Sequence, residues 1–105
     1  MNTVPAPPIN APMHPGEVLH ELYLAPLNMS AGALARALGV PRTRIERVIK
    51  GTTAITPDTA LRLARYWNTS VKLWLDMQSA WDVARAEKAV RNEIAAIEPR
   101  AVETV

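Results

Sequence analysis

Along this chain apolar residues recur at helical spacing, three or four positions apart, and the period is never two over a useful length. Helices are therefore predicted and strands are not. Val18, Leu19, Leu22 and Tyr23 make a first apolar stripe. Pro15 suits its first turn, Glu17 puts negative charge near the positive end of the helix dipole, and Pro26 halts the pattern. Ala31, Leu34, Ala35 and Leu38 share the face of a second helix, between Ser30 as the predicted cap and Gly39, which supplies the positive φ that ends it. Ile45, Val48 and Ile49 form the inward side of a third, with Pro41 in its first turn and Gly51 as its stop. Thr56 as cap and Pro57 in the first turn open a fourth, whose expected inward residues are Ala60, Leu61, Leu63 and Ala64. From Ser70 to about Ile97 the stripe Val71, Trp74, Leu75, Met77, Trp81, Ala84, Val90, Ile94 and Ile97 predicts one long helix or two nearly continuous ones. The fold class is all-α.

Composition narrows this picture. A chain of 105 residues, 49% hydrophobic, has the size and apolar content of one small domain. It has no phenylalanine, so core volume must come from aliphatic residues and three tryptophans, which suits closely packed helices. Trp67, Trp74 and Trp81 are accordingly expected as core or interface anchors rather than base-stacking platforms. Without cysteine there is neither a disulfide nor a thiolate metal site. No apolar run approaches the ~18 residues of a membrane span, and the N-terminus lacks the layout of a signal peptide, so a soluble cytoplasmic protein is expected. Residues 1–13 contain Pro5, Pro7, Pro8 and Pro12 and predict a flexible arm. The expected division is this arm, a helical domain over 14–82 and a C-terminal extension over 83–105.

Charge matters here through its placement. Lys plus Arg number 12 against 10 for Asp plus Glu, which by itself names no partner. The third helix, however, carries Arg42, Arg44, Arg47 and Lys50. At about 100° per residue its apolar trio fills one sector, Thr43, Glu46, Arg47 and Lys50 cluster opposite, and Arg42 and Arg44 lie on the flanks. A short helix, a turn at Gly39 and a second short helix make the layout of a helix-turn-helix, whose second helix lies in the major groove of DNA. Arginine can grip guanine O6 and N7 with two hydrogen bonds, so Arg42, Thr43, Arg44 and Arg47 are the candidates to read bases. Lys50, and the Ser30 hydroxyl with the first amides of its helix, better suit phosphate. The competing reading is a basic face that merely meets water, as most surface arginines do. The position of the cluster on the one helix that would enter the groove argues against it. Glu46 is expected to hold Arg42 or Lys50 at helical spacing in preference to accepting from cytosine N4.

Other candidate chemistry is sparse. His14 and His20 stand six residues apart, which is not the same-face offset of a helical ligand pair, so Glu17 and Glu21 beside them suggest no metal site. No nucleophilic constellation and no glycine-rich phosphate loop is recognisable, so no cofactor and no enzymatic activity are expected. Trp81, Val90, Ile94 and Ile97 remain to be covered once the first four helices have closed a core, and a second copy is the simplest cover. A two-fold dimer would set its reading helices about 34 Å apart, one DNA turn.

Three stretches together, "HPGEVLHELYLAPLNMS", "ALARALGV" and "RVIKGTTAITPDTALRLARYWNTSVKLWLDMQ", resemble the HigA/VapI-type antitoxins of the Xre branch of helix-turn-helix proteins. The resemblance runs from about His14 to Asp82, and its specific pieces are the His-Pro-Gly-Glu opening, Gly51 followed by Ala54-Ile55-Thr56-Pro57, and Trp74-Leu75 with Gln78. It implies a five-helix, lambda-repressor-like domain, a homodimer on a palindromic double-stranded DNA operator before its own operon, and neutralisation of a RelE-like, HigB-type toxin that cleaves mRNA. Two departures stand out: Pro41 occupies a place where the family often has a capping Ser or Thr, and Thr52 and Thr53 replace frequent basic residues. A stand-alone regulator of the same fold, and an adaptor whose basic helix is only solvated, are the alternatives. A toxin is expected to dock away from the reading helix, on the Pro-rich arm and the first helix.

Overall fold

Residues 12–102 are described by a computed structural model, and they form α1 (Pro15–Val18), which runs on as a π-helical stretch (Leu19–Leu24), then α2 (Ala31–Leu38), α3 (Arg42–Lys50), α4 (Pro57–Trp67) and α5 (Val71–Ala95). There is no strand among the described residues. Of the expected arm only Pro12 and Met13 fall within them, so Pro5, Pro7 and Pro8 lie outside.

Caps account for most helix starts. Ser30 Oγ accepts from the Ala33 amide at 3.1 Å, Thr56 Oγ1 from Thr59 at 3.4 Å and Ser70 Oγ from Leu73 at 3.0 Å, each satisfying an amide that the helix itself leaves unpaired. His14 does the same for α1, its Nδ1 accepting from the Gly16 amide at 2.9 Å. Pro41 is the exception and a correction: it stands at the N-cap of α3 rather than in its first turn, and its side chain makes no cap bond. Gly39 and Gly51 end α2 and α3 in the left-handed region, with φ of 70° and 76°.

The first stripe changes character in the structure. Leu19 and Leu24, five residues apart, are both fully buried, whereas Val18, Leu22 and Tyr23 are only half-buried. An α-helix would turn the two leucines well apart, but the i→i+5 bonding of a π-helix, seen in the Ala25 amide on His20 O at 2.8 Å, brings them to one side.

Trp74, Leu63, Ile45, Leu34 and Leu19 lie at the centre of a core to which every helix contributes. The Trp74 indole N–H is satisfied there by Thr69 Oγ1 at 2.8 Å. Leu61, expected inward, is instead 58% exposed. Ala60, Leu63 and Ala64 share the buried sector of α4 with Thr59, on the far side from Leu61. Two contacts set α3 against its neighbours. A Cβ on Gly16 would lie 1.7 Å from Val48 O, so α1 approaches α3 more closely than any side chain would permit. The loop after α3 is held to α5 by buried Gln78, whose Oε1 accepts from the Ile55 amide at 2.8 Å while its Nε2 donates to Asp82 at 3.0 Å.

Beyond Ala84 every described residue is exposed, and a non-helical Val90 (φ −121°, ψ 21°) kinks α5. The helix projects from the domain, and together they measure 52 × 29 × 29 Å. No helix among the described residues is long and apolar enough to cross a membrane.

Candidate nucleic-acid interface

The αL conformation at Gly39 reverses the chain after α2, and Ile45 and Val48 then anchor α3 by burying its inner side. That orientation leaves Arg42, Thr43, Arg44, Arg47 and Lys50 exposed together on the outer side, with Glu46 half-buried among them. No acidic residue stands in the first turn of α3.

The four cations differ in their partners. Arg42 Nε lies 2.9 Å from Glu46 Oε1, the helical pair expected from their spacing. Arg44 Nη1 donates to Asp58 Oδ2 at 2.6 Å, across to the first turn of α4. The same oxygen accepts from Arg62 Nε at 3.0 Å, and Arg62 Nη1 reaches back to Leu38 O at 2.7 Å, satisfying a terminal carbonyl of α2. Hydrogen bonds from Arg62 and then Arg44 hold the Asp58 carboxyl below its usual range. One carboxylate thus links all three helices around the turn. Arg47 and Lys50 enter no ion pair among the described residues.

Ser30 and Lys50, both assigned to phosphate on sequence grounds, line one open groove of about 250 Å³ with His20, Met29, Glu46 and Ile49. The Ser30 hydroxyl oxygen already accepts from Ala33 there. A second concavity, of about 340 Å³, runs beside Arg44 between Thr53, Thr56 and Asp58. Sequence reasoning missed Asp58 and Arg62. Their four-residue spacing was a signal, but nothing in the sequence tied Asp58 to Arg44, fourteen positions away.

The residues expected at a dimer contact fall into two groups. Val90, Ile94 and Ile97 are exposed on the projecting part of the chain. Trp81 is half-buried within its own domain, edge-on to His14 at 5.4 Å and under the Arg85 guanidinium at 5.9 Å. His14 is a buried cap; burial lowers its pKa from the ordinary 6.5, Asp82 and Glu17 oppose that shift, and Arg85 adds to it. His20 faces solvent beside Glu21. No group of three or more potential metal ligands occurs among the described residues.

Comparison with known proteins bears on the family and the fold. The helix-turn-helix family model matches residues 19–74. Virulence-associated protein I of Dichelobacter nodosus is 49% identical over 76 residues, spanning 72% of this chain and 70% of that protein. The chain belongs to the helix-turn-helix family, in its HigA/VapI antitoxin branch. Among solved structures, the Pseudomonas aeruginosa antitoxin HigA with the higBA promoter superposes with a TM-score of 0.81 at 38% identity, covering 84% of this chain and 97% of that one. Antitoxin GraA in complex with its operator also gives 0.81, at 33% identity, and covers 97% of this chain and 100% of its own. Helix-turn-helix antitoxins and regulators of this kind are not enzymes.

Proposed function

We propose that the protein is a cytoplasmic, sequence-specific DNA-binding antitoxin that represses its own operon and neutralises a RelE-like toxin which cleaves mRNA. The observation that carries the reading is the exposed set Arg42, Thr43, Arg44, Arg47 and Lys50 on the second helix of a helix-turn-helix, in a chain related to an antitoxin solved with promoter DNA. Arg42, Thr43, Arg44 and Arg47 meet base edges; Lys50 and Ser30 meet phosphate. Two copies joined through Val90, Ile94 and Ile97, with Trp81 at the margin, present two such helices to a palindromic operator. The toxin docks on the arm and α1, leaving α3 clear.

Titration of the pure protein with duplex from upstream of its gene, at several salt concentrations, tests the DNA half. Arg47→Ala is expected to cost about 1–3 kcal/mol at the specific site and to blur preference at one base pair, while Lys50→Ala weakens all sequences alike. Binding that neither falls with salt nor changes in Arg47→Ala overturns the groove assignment. Co-expression with the neighbouring gene tests the other half. A toxin that co-purifies supports the antitoxin reading, and its absence leaves a stand-alone regulator.

A further inference from the structure

The unequal treatment of the four cations on α3 carries a further step, which rests on the DNA-binding reading above. We propose that Asp58 is a positioning residue for sequence recognition: its carboxylate holds Arg44 for a base edge and keeps that arginine from serving as an indiscriminate phosphate contact.

The geometry supplies the argument. An arginine side chain is long and flexible, and one that wanders over a DNA surface gains as much from a phosphate as from a base. In the structure Arg44 is directed to one place, its Nη1 bonded to Asp58 Oδ2 at 2.6 Å. Its Nε and Nη2 meet no protein acceptor among the described residues, so the donors of the planar fork that remain are available to a ligand. Asp58 is itself fixed, since Arg62 bonds the same oxygen and is tied in turn to Leu38 O at the end of α2. The strut therefore reaches from α2, the first helix of the motif, through α4, to the side chain on α3. Yet the pair is open to solvent on both sides, with side-chain exposures of 41% and 55%. It lies at a surface a duplex can reach, beside the concavity lined by Thr53 and Thr56.

Two consequences have opposite signs. A carboxylate at this surface repels phosphate, which weakens binding to any DNA. An ordered guanidinium discriminates between bases, because its hydrogen-bonding fork is already oriented when the duplex arrives. Removing the charge should then raise affinity for arbitrary DNA and lower the preference for the correct sequence. A brace that served stability alone would lower both together.

The experiment uses the full-length chain. A preferred duplex is obtained by in vitro selection on the wild-type protein, and its single base-pair variants and a random-sequence duplex of equal length are titrated with wild type, Asp58→Asn, Arg44→Ala and the double variant. Asp58→Asn is expected to bind random duplex about 3- to 10-fold more tightly at low salt, with the slope of log K against log salt steeper by about 0.9 for the phosphate that Arg44 gains. It should lose about tenfold in discrimination at one base pair. In the Arg44→Ala background the same substitution should leave discrimination unchanged, since Asp58 acts through Arg44. Unchanged discrimination in Asp58→Asn overturns the proposal, as does a parallel fall in both affinities with a lower melting temperature. The further effect of Asp58→Asn on discrimination persisting without Arg44 also overturns it. A wild type that selects no sequence and shows no salt-dependent binding overturns the DNA-binding reading itself, and this proposal with it.

Discussion

The two halves of α5 carry similar apolar spacing and meet opposite fates. Over Val71–Asp82 the helix is part of the domain: Trp74 is fully buried, Gln78 bonds the loop after α3, and Leu75 and Met77 are half-covered. Past Val83 every described residue but Ala84 is exposed, with Val83, Val90 and Ile94 at 56%, 39% and 57%. Periodicity defines an apolar face but does not say what covers it. In the first half the cover is α4 and α1, in contact with α5 within the same chain. In the second half Pro12 shares a groove with Val83 and Ala84, but the stripe beyond them stays exposed, and this row of large aliphatic residues is the surface proposed above for a second copy.

Substitutions in the two halves should separate them sharply. Trp74→Ala removes a fully buried side chain and its bond to Thr69, and is expected to cost about 3–5 kcal/mol in urea denaturation followed by far-ultraviolet circular dichroism. Ile94→Ala, measured alike at dilution where association contributes nothing, should stay within about 0.5 kcal/mol of wild type. Equal losses would mean that the two halves are equally integrated. Ile94→Glu should leave the fold intact and abolish the dimer, because a second copy would have to bury the carboxylate. Sedimentation at micromolar concentration reads this directly, and a strictly monomeric wild type would remove a second copy as the cover.

The smallest expected effect lies at the junction of the halves, where His14 meets Trp81. Burial disfavours the imidazolium, so the folded protein binds fewer protons than the unfolded chain in the interval below 6.5. Stability contributed by neutral His14 is therefore fully present above 6.5 and declines as pH falls through the lowered folded value. Protonation would also deprive the Gly16 amide of its acceptor. His14→Asn, which can still cap but does not titrate, should flatten this part of the pH profile in urea melts between pH 7.5 and 5. An unchanged profile would assign the dependence to other groups.

Much of α2, α3 and α4 was legible, because the determinants of their ends and faces are local. The caps at Ser30 and Thr56, the stops at Gly39 and Gly51 and the Arg42–Glu46 pair each involve residues a few positions apart. The basic set on α3 followed from its apolar trio by helical geometry alone. What the sequence hid was either rare local geometry or distant partnership. The π-helical stretch moved burial from Leu22 to Leu24, which a search for an α period does not anticipate. Leu61 looked inward because it is a leucine beside an apolar run, yet the face that α4 buries takes in Thr59 and leaves Leu61 outside.

The sequence by itself determined five helical segments, most of their ends, and a basic outer face on the third, since hydrogen bonding and periodicity within one helix need nothing from the rest of the chain. Only the tertiary structure decided how that face is organised. It set Asp58 against Arg44, left Arg47 and Lys50 without an ion pair among the described residues, and fastened the loop after α3 through Gln78. It also divided α5 into a covered half and a projecting half. These outcomes depend on which surfaces meet when the helices pack, and an apolar stripe or an isolated charge carries no record of its partner across that distance.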